Sequence, residues 1–189
     1  MFRTMSDPAR KRMTADEFIA WAMTRPEGEH YELVGGEVVP MAPERSAHGL
    51  VKVRITRRLS DALEATSLPC DVYTDSMSVR IDAATVYEPD VLVRRGKRLD
   101  PDAVEVTDPV IVVEVRSLST GGRDAGAKLD DYFRLPSVVH YLIVKPENRT
   151  IIHHRRETEG MISTRIIRDG PVRLDPPGIE LSDPFPPDR

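Results

Sequence analysis

Two stretches decide the fold of this chain: Tyr87-Glu88-Pro89-Asp90-Val91-Leu92-Val93 and Val110-Ile111-Val112-Val113-Glu114-Val115-Arg116. Each contains a short apolar run, Val91-Leu92-Val93 and Val110 to Val113, of the kind strands carry. Each also carries an acid where such a strand would place a hydrophobic side chain. Asp90 opens its apolar run directly after a proline, and Glu114 sits inside a run apolar enough for the centre of a sheet. An ionised carboxylate buried there is costly unless it is paired, hydrogen-bonded or metal-bound. The period of two along a strand puts Glu114 and Arg116 on the same face. Locally, the pattern admits a structural Glu114–Arg116 pair, or a strand end open to water, as well as a functional carboxylate.

The flanking segments supply the rest of the architecture. Thr14-Ala15-Asp16-Glu17 is a capping box ahead of Phe18, Ile19, Trp21 and Ala22, and predicts a helix over 14–24 that ends before Pro26. Tyr31-Glu32-Leu33-Val34 and Glu37-Val38-Val39 flank Gly35-Gly36, which tolerates the positive φ of a two-residue hairpin turn. Val51, Ile55, Leu59 and Leu63 recur four apart and predict the longest helix over 47–66. Lys52, Arg54, Arg57 and Arg58 lie largely off that stripe, on a solvated face or against phosphate. Strands are expected at 71–81 (Met77, Val79 and Ile81 alternate), 87–94 and 110–116, with a charged connection over 96–109. A helix over 123–135 is stopped by Pro136, then come a β-rich run at 138–144 and a closing pair at 150–154 and 161–168. His153 and His154 are adjacent on a strand and point to opposite faces, which argues against a shared metal site.

These elements divide the chain into a basic arm over 1–12, one domain over 13–175 and a proline-rich tail over 176–189, expected to be irregular or draped over the surface. There is no internal repeat. Strands clustered mid-chain with helices at both ends of the cluster define an α+β fold: a mixed central β-sheet flanked by helices, with an N-terminal helix and β-hairpin.

Composition removes several functional classes. A chain of 189 residues, 40% of them hydrophobic, can bury a core without disulfide or metal staples. Cys70 is the only cysteine, so neither an internal disulfide nor a cysteine-rich zinc site can form, and a reducing, cytoplasmic setting is expected. No apolar run approaches the roughly 20 residues of a membrane span, and the basic N-terminus lacks the apolar segment of a secretory signal. A net charge of −4 argues against coating nucleic acid non-specifically. The cations are unequal, 22 Arg against 5 Lys, so a lysine in a site is conspicuous. No His-Glu-x-x-His, phosphate-binding Gly-x-x-x-x-Gly-Lys-Ser/Thr or Gly-x-Ser-x-Gly pattern occurs.

Asp90, then 23 residues, then Glu114-Val115-Arg116 resembles the PD-(D/E)XK nuclease pattern of Pro-Asp, a variable connection, an acid, any residue and Lys. The surroundings narrow the likeness. Tyr31 to Glu37, Met41-Ala42-Pro43, His48, Glu88-Pro89-Asp90-Val91, Val113 to Thr120, and then Asp124, Lys128, Tyr132, Tyr141 and Pro146 occur in order. Together, over about 14–155, they resemble the Uma-two family of restriction-endonuclease-like proteins, which carry a DUF820-type domain. The resemblance implies a restriction-endonuclease-like core whose two acids lie on adjacent strands. It implies Mg²⁺-dependent hydrolysis of DNA phosphodiester bonds, with Mn²⁺ able to substitute.

Site roles follow from the same resemblance. Asp90, Glu114 and the backbone carbonyl of Val115 are the implied metal ligands, with Glu32 a further ligand or an ordinary strand acid. The superfamily expects Lys where this chain has Arg116, which keeps the charge but not the compact geometry of an ammonium. Lys128, from the helix after the Glu114 strand, is the implied substitute; taken alone it reads as a surface lysine paired with Asp131. His48 would orient a water, bind phosphate or cap its helix. Ser119 and Thr120 would cap the following helix or contact phosphate. Cutting both strands of a duplex with one site per chain implies a two-fold homodimer. Arg116 and the acidic charge also suit a rival, a catalytically inactive nuclease-like domain that binds nucleic acid or protein. A third possibility is hydrolysis of a small phosphoester.

Overall fold

The capping box, the Gly-Gly turn and the four-residue apolar spacing each form their elements where the sequence sets them. The computed structural model describes residues 12–75, 77–116 and 122–187, with backbone alone over 122–125. Helix α1 (Ala15–Ala22) starts at Thr14, whose Oγ1 accepts the Glu17 N–H at 3.2 Å while Glu17 Oε2 accepts the Thr14 N–H at 2.9 Å. Strands β1 (Tyr31–Val34) and β2 (Glu37–Pro40) pair through a turn in which Gly35 and Gly36 have φ of 56° and 86°. Two successive positive φ values match the right-handed twist of a tight hairpin. Helix α2 (Ser46–Thr66) buries Val51, Ile55, Leu59 and Leu63, the predicted stripe.

The predicted strands 71–81 and 87–94 are each two strands. Residues 70–82 form β3 (Cys70–Thr74) and β4 (Val79–Asp82); residues 85–95 form β5 (Thr85–Tyr87) and β6 (Val91–Arg95). In both cases the chain leaves one sheet for another. β4 and β5 join the hairpin in a four-stranded sheet, β2-β1-β5-β4, whereas β3 and β6 pair with each other in the central sheet. Pro89 explains the second break, because it lacks the N–H that would continue a ladder.

The central sheet continues through β7 (Pro109–Val115), β8 (His140–Lys145), β9 (Thr150–Arg156) and β10 (Ile162–Ile167), in the order β10-β9-β8-β7-β6-β3. Among the described strands of this sheet only the β7–β8 pair is parallel, and α3 (Gly122–Arg134) lies in the connection between them, as a crossover requires. Alternate residues serve two cores. Val91, Val93, Ile111, Val113, Leu142 and Val144 face α2, while Leu92, Val112, Tyr141 and Ile143 pack against Tyr132 and Phe133 of α3. All seven residues of β7 are buried, which accounts for its unbroken apolar run. Among the described residues, no helix is long and apolar enough to cross a membrane.

The segment after Pro176 differs from the irregular tail expected. Strand β12 (Ile179–Leu181) pairs with β11 (Val172–Leu174), and Ile179, Leu181 and Phe185 enter the core beneath α2. Arg54 Nε donates to the Pro184 carbonyl at 3.0 Å, and Arg149 Nη2 lies 2.7 Å from Asp183 Oδ2. Prolines bound this ribbon and mask a strand pattern only three residues long.

His153 and His154 do point apart. His153 Nε2 lies 2.9 Å from His140 Nδ1, whereas His154 Nδ1 pairs with Thr164 Oγ1 at 2.8 Å. His140 Nε2 sits 3.0 Å from the Pro176 carbonyl, so it carries a proton that it donates there. Burial, reinforced by nearby guanidinium charge, lowers both His140 and His153 to about 4. The unfolded chain therefore binds more protons than the folded one between about pH 6.5 and 4. Stability should be insensitive to this pair above 6.5, fall by at least about 2 kcal/mol as pH drops to 4, and level off below. Urea unfolding of wild type and His153→Gln across that range measures it; identical pH slopes would contradict the assignment.

Candidate active site

Register brings the two conspicuous acids together. In the antiparallel β6–β7 ladder Val91 pairs with Val113 and Leu92 with Val112, so Asp90, one step before Val91, falls opposite Glu114. Pro89 ends the ladder at this point, and the Asp90 side chain takes up a main-chain donor: its Oδ2 accepts the Val115 N–H at 2.6 Å. One carboxylate oxygen is thereby fixed, and Oδ1 faces His48 Nε2 at 3.1 Å. Asp90, Glu114, Val115, Arg116, Glu32, His48 and Lys128 all line one cleft of about 740 Å³. Ser119 and Thr120 lie outside the described residues.

Lys128 is not a surface lysine. It is 3% exposed, and its ammonium donates to Glu32 Oε1 at 2.6 Å and Glu114 Oε1 at 3.0 Å, with Nζ 4.8 Å from the centre of the Tyr87 ring. Asp131, its expected partner one turn along, instead accepts from the Tyr87 hydroxyl at 2.6 Å. Tyr132 donates to Glu114 Oε1 at 2.9 Å, and Glu32 Oε1 also accepts the Glu88 N–H at 3.2 Å. Glu114 Oε2 is 3.8 Å from Arg116 Nη2, so the local Glu114–Arg116 pair exists beside the shorter contact to Lys128.

These contacts set the protonation states. Burial works against a charged Lys128, yet the adjacent Glu114 and Glu32 carboxylates raise it above the ordinary lysine value, so it remains an ammonium at neutral pH. Burial raises Glu32 above the usual carboxylate range, opposed by Lys128 and reinforced by Glu114. Burial, with the nearby Glu114 charge, holds the Tyr132 hydroxyl well above its usual value and keeps it a donor. Burial disfavours protonated His48, but the hydrogen bond to Asp90 and the charge of Asp90 and Glu44 raise it overall.

A second set of polar groups meets Asp90 from α2 and the residues just before it; sequence reasoning named His48 but missed Glu44 and Lys52. Lys52 bonds to Glu44 and to Asp75 Oδ2 (2.6 Å), and its Nζ lies 3.9 Å from Asp90 Oδ1. Its side chain is 12% exposed, not on the solvated face expected. Glu44, His48 and Asp90 each offer a ligand atom, all within 4.8 Å of one another. A signal was present: Glu44, His48 and Lys52 are spaced by four, which aligns them along one side of a helix and its approach.

A mixed sheet with an α3 crossover, two acids meeting at adjacent central strands and a buried lysine facing them is the arrangement of a restriction-endonuclease-like fold. A solved structure agrees: that of a putative nuclease belonging to DUF820 from Anabaena variabilis superposes with a TM-score of 0.70, covering 92% of this chain and 97% of the other at 11% identity. The chain belongs to the Uma2 family, described as "Putative restriction endonuclease", whose model matches residues 15–184. Two proteins of Synechocystis sp. PCC 6803 are similar in sequence. Uncharacterized protein sll1609 is 26% identical over 131 residues (68% of this chain, 73% of that one), and uncharacterized protein slr1290 is 25% identical over 150 residues (79% and 77%).

Proposed function

We propose that this protein is a Mg²⁺- or Mn²⁺-dependent endonuclease that hydrolyses DNA phosphodiester bonds at the Asp90–Glu114 cleft. The observation that carries the proposal is the meeting of Asp90, Glu114 and a buried ammonium, Lys128, in one cleft of a nuclease family fold. The donor chemistry suits a hard divalent cation, because carboxylate and carbonyl oxygens are the ligands such ions take. Asp90 belongs to either donor set: with Glu114 and the Val115 carbonyl, or with Glu44 and His48, whose ligand atoms already lie close to it. An imidazole beside the carboxylates also widens the choice toward transition metals. Glu32 enters first as the carboxylate that holds Lys128, and as a further ligand only through its other oxygen.

A divalent ion in the site supplies charge neutralisation at the scissile phosphate and a water of lowered pKa. The chain's own groups do the rest. Lys128 keeps its proton at neutral pH, so it stabilises developing negative charge or orients the attacking water and cannot serve as the base. Glu32 and Tyr132 hold Lys128 and Glu114 in place. His48 Nε2 holds Asp90 Oδ1 in place. Arg116, at the cleft wall, adds fixed positive charge for phosphate. Ser119 and Thr120 are proposed as phosphate contacts or helix caps, two copies of the chain as the unit that cuts a duplex, and the cytoplasm as its setting.

Purified protein should nick supercoiled DNA in Mg²⁺ or Mn²⁺, fall silent with excess chelator and recover when the ion is restored. Cleavage that persists in chelator would overturn the metal dependence. Turnover of a small phosphodiester with none on any DNA would overturn the substrate.

A further inference from the structure

A second polar cavity lies on the α2 side of the central sheet, away from the carboxylate cleft. In the β9–β10 ladder Arg155 pairs with Ser163 and His153 with Arg165, so these four side chains share one face as a two-by-two patch. Arg173, the middle residue of β11, and Asp175, just past its end, close it into a cavity of about 280 Å³. The parallel pairing of Ile111 with His140, and the pairing of His140 with Arg155, set this cavity beside the start of β7, whereas Glu114 lies near the end of that strand. The two sites are thus at opposite ends of the sheet.

The cavity is rich in unsaturated cationic donors. Arg155 Nη2 donates to the Asp175 carbonyl at 3.1 Å, while its Nε is shielded from solvent with no hydrogen-bond acceptor among the described residues. A buried donor left in that state costs about 1–3 kcal/mol. Arg165 makes no ion pair among the described residues. The acids nearby are outnumbered by guanidinium groups: Arg173 Nη2 is 3.9 Å from Asp175 Oδ2, Arg155 Nη1 is 3.9 Å from Glu157 Oε1, and that same oxygen accepts the Ser163 hydroxyl at 2.7 Å. His153, on the floor, is occupied by His140 and adds no counter-charge.

Three guanidinium groups line the cavity from three strands, a donor set that suits a small tetrahedral oxyanion rather than a flat carboxylate. A phosphate monoester presents three terminal oxygens and up to two charges, whereas a backbone phosphodiester presents two oxygens and one charge. Guanidinium forks match such oxygens in pairs. We propose that the Arg155–Arg165–Arg173 cavity is a binding site for a dianionic phosphate group, either free inorganic phosphate or the terminal phosphate monoester of a nucleotide or oligonucleotide. It does not depend on hydrolysis at the Asp90–Glu114 cleft.

The test is calorimetric titration of the full chain with inorganic phosphate and with an oligonucleotide carrying or lacking a 5′-phosphate, in chelator so that the carboxylate cleft holds no ion. Wild type should bind phosphate, and Arg165→Ala, an exposed position that leaves the core intact, should weaken binding by about tenfold or more. Arg165→Lys should restore part of it. Arg155→Ala should lose binding while keeping the wild-type circular dichroism spectrum. Preference for the phosphorylated oligonucleotide over free phosphate assigns the site to a nucleic-acid end; equal or weaker binding assigns it to the free anion. No saturable phosphate binding, or binding unchanged by both arginine substitutions, would overturn the proposal.

Discussion

Lys128→Met is expected to destabilise the folded protein by about 3–5 kcal/mol at pH 7, the cost of removing one partner from a buried ion pair. Methionine fills much the same volume, so the loss is electrostatic rather than a cavity. The ammonium bridges Glu32 and Glu114, both under 10% exposed, and its removal leaves two carboxylates facing each other with Tyr132, the Glu88 N–H and the longer 3.8 Å contact from Arg116 to Glu114 as their support. The sign with pH follows from the direction of Glu32, already raised by burial and by Glu114. In the variant Glu32 loses the Lys128 charge that lowers it, so its folded-state pKa rises further above the unfolded one. A group raised in this way favours the folded state at low pH, and that favour is lost as pH rises through its folded value. The deficit of Lys128→Met should therefore be largest at neutral pH and shrink on acidification toward pH 5. Urea unfolding of wild type and variant at the two pH values measures it. A deficit under about 1 kcal/mol at pH 7 would contradict a buried, charged network.

The other large effect is on cleavage. Asp90→Asn should retain the fold, because the asparagine carbonyl can still accept the Val115 N–H that fixes Asp90 Oδ2. It removes the charge that both donor sets share. Loss of the metal's stabilisation of the transition state is worth several kcal/mol, so cleavage should fall by about 10³-fold or more. Glu114→Gln should do the same while also loosening Lys128, and should therefore cost stability as well as rate.

Much of this was legible in the sequence because it is local. The Thr14–Glu17 box, the Gly35-Gly36 turn and the stripe from Val51 to Leu63 need only neighbours within a few residues, and each formed. Asp90 and Glu114 stood out because an acid within an apolar run conflicts with burial wherever the strand lies. The partition of strands between two sheets was not legible. Tyr87 and Val91 are four residues apart, yet their ladders belong to different sheets, a choice made by partners distant in sequence. Lys128 misled for the opposite reason: Asp131 offered a local partner, and only the fold reveals Glu32, 96 residues away, as the nearer one. Lys52 was concealed likewise, since Asp75 and Asp90 reach it from other elements. The ribbon after Pro171 was hidden by prolines that bound strands too short to show alternation.

The most direct test of the central claim is a side-by-side DNA cleavage assay in Mg²⁺ and Mn²⁺ with wild type, Asp90→Ala and Glu114→Ala, each verified as folded. The account predicts metal-dependent cleavage by wild type and none above background by either variant. Equal cleavage by all three proteins would show that the chemistry does not reside at these carboxylates and would contradict it.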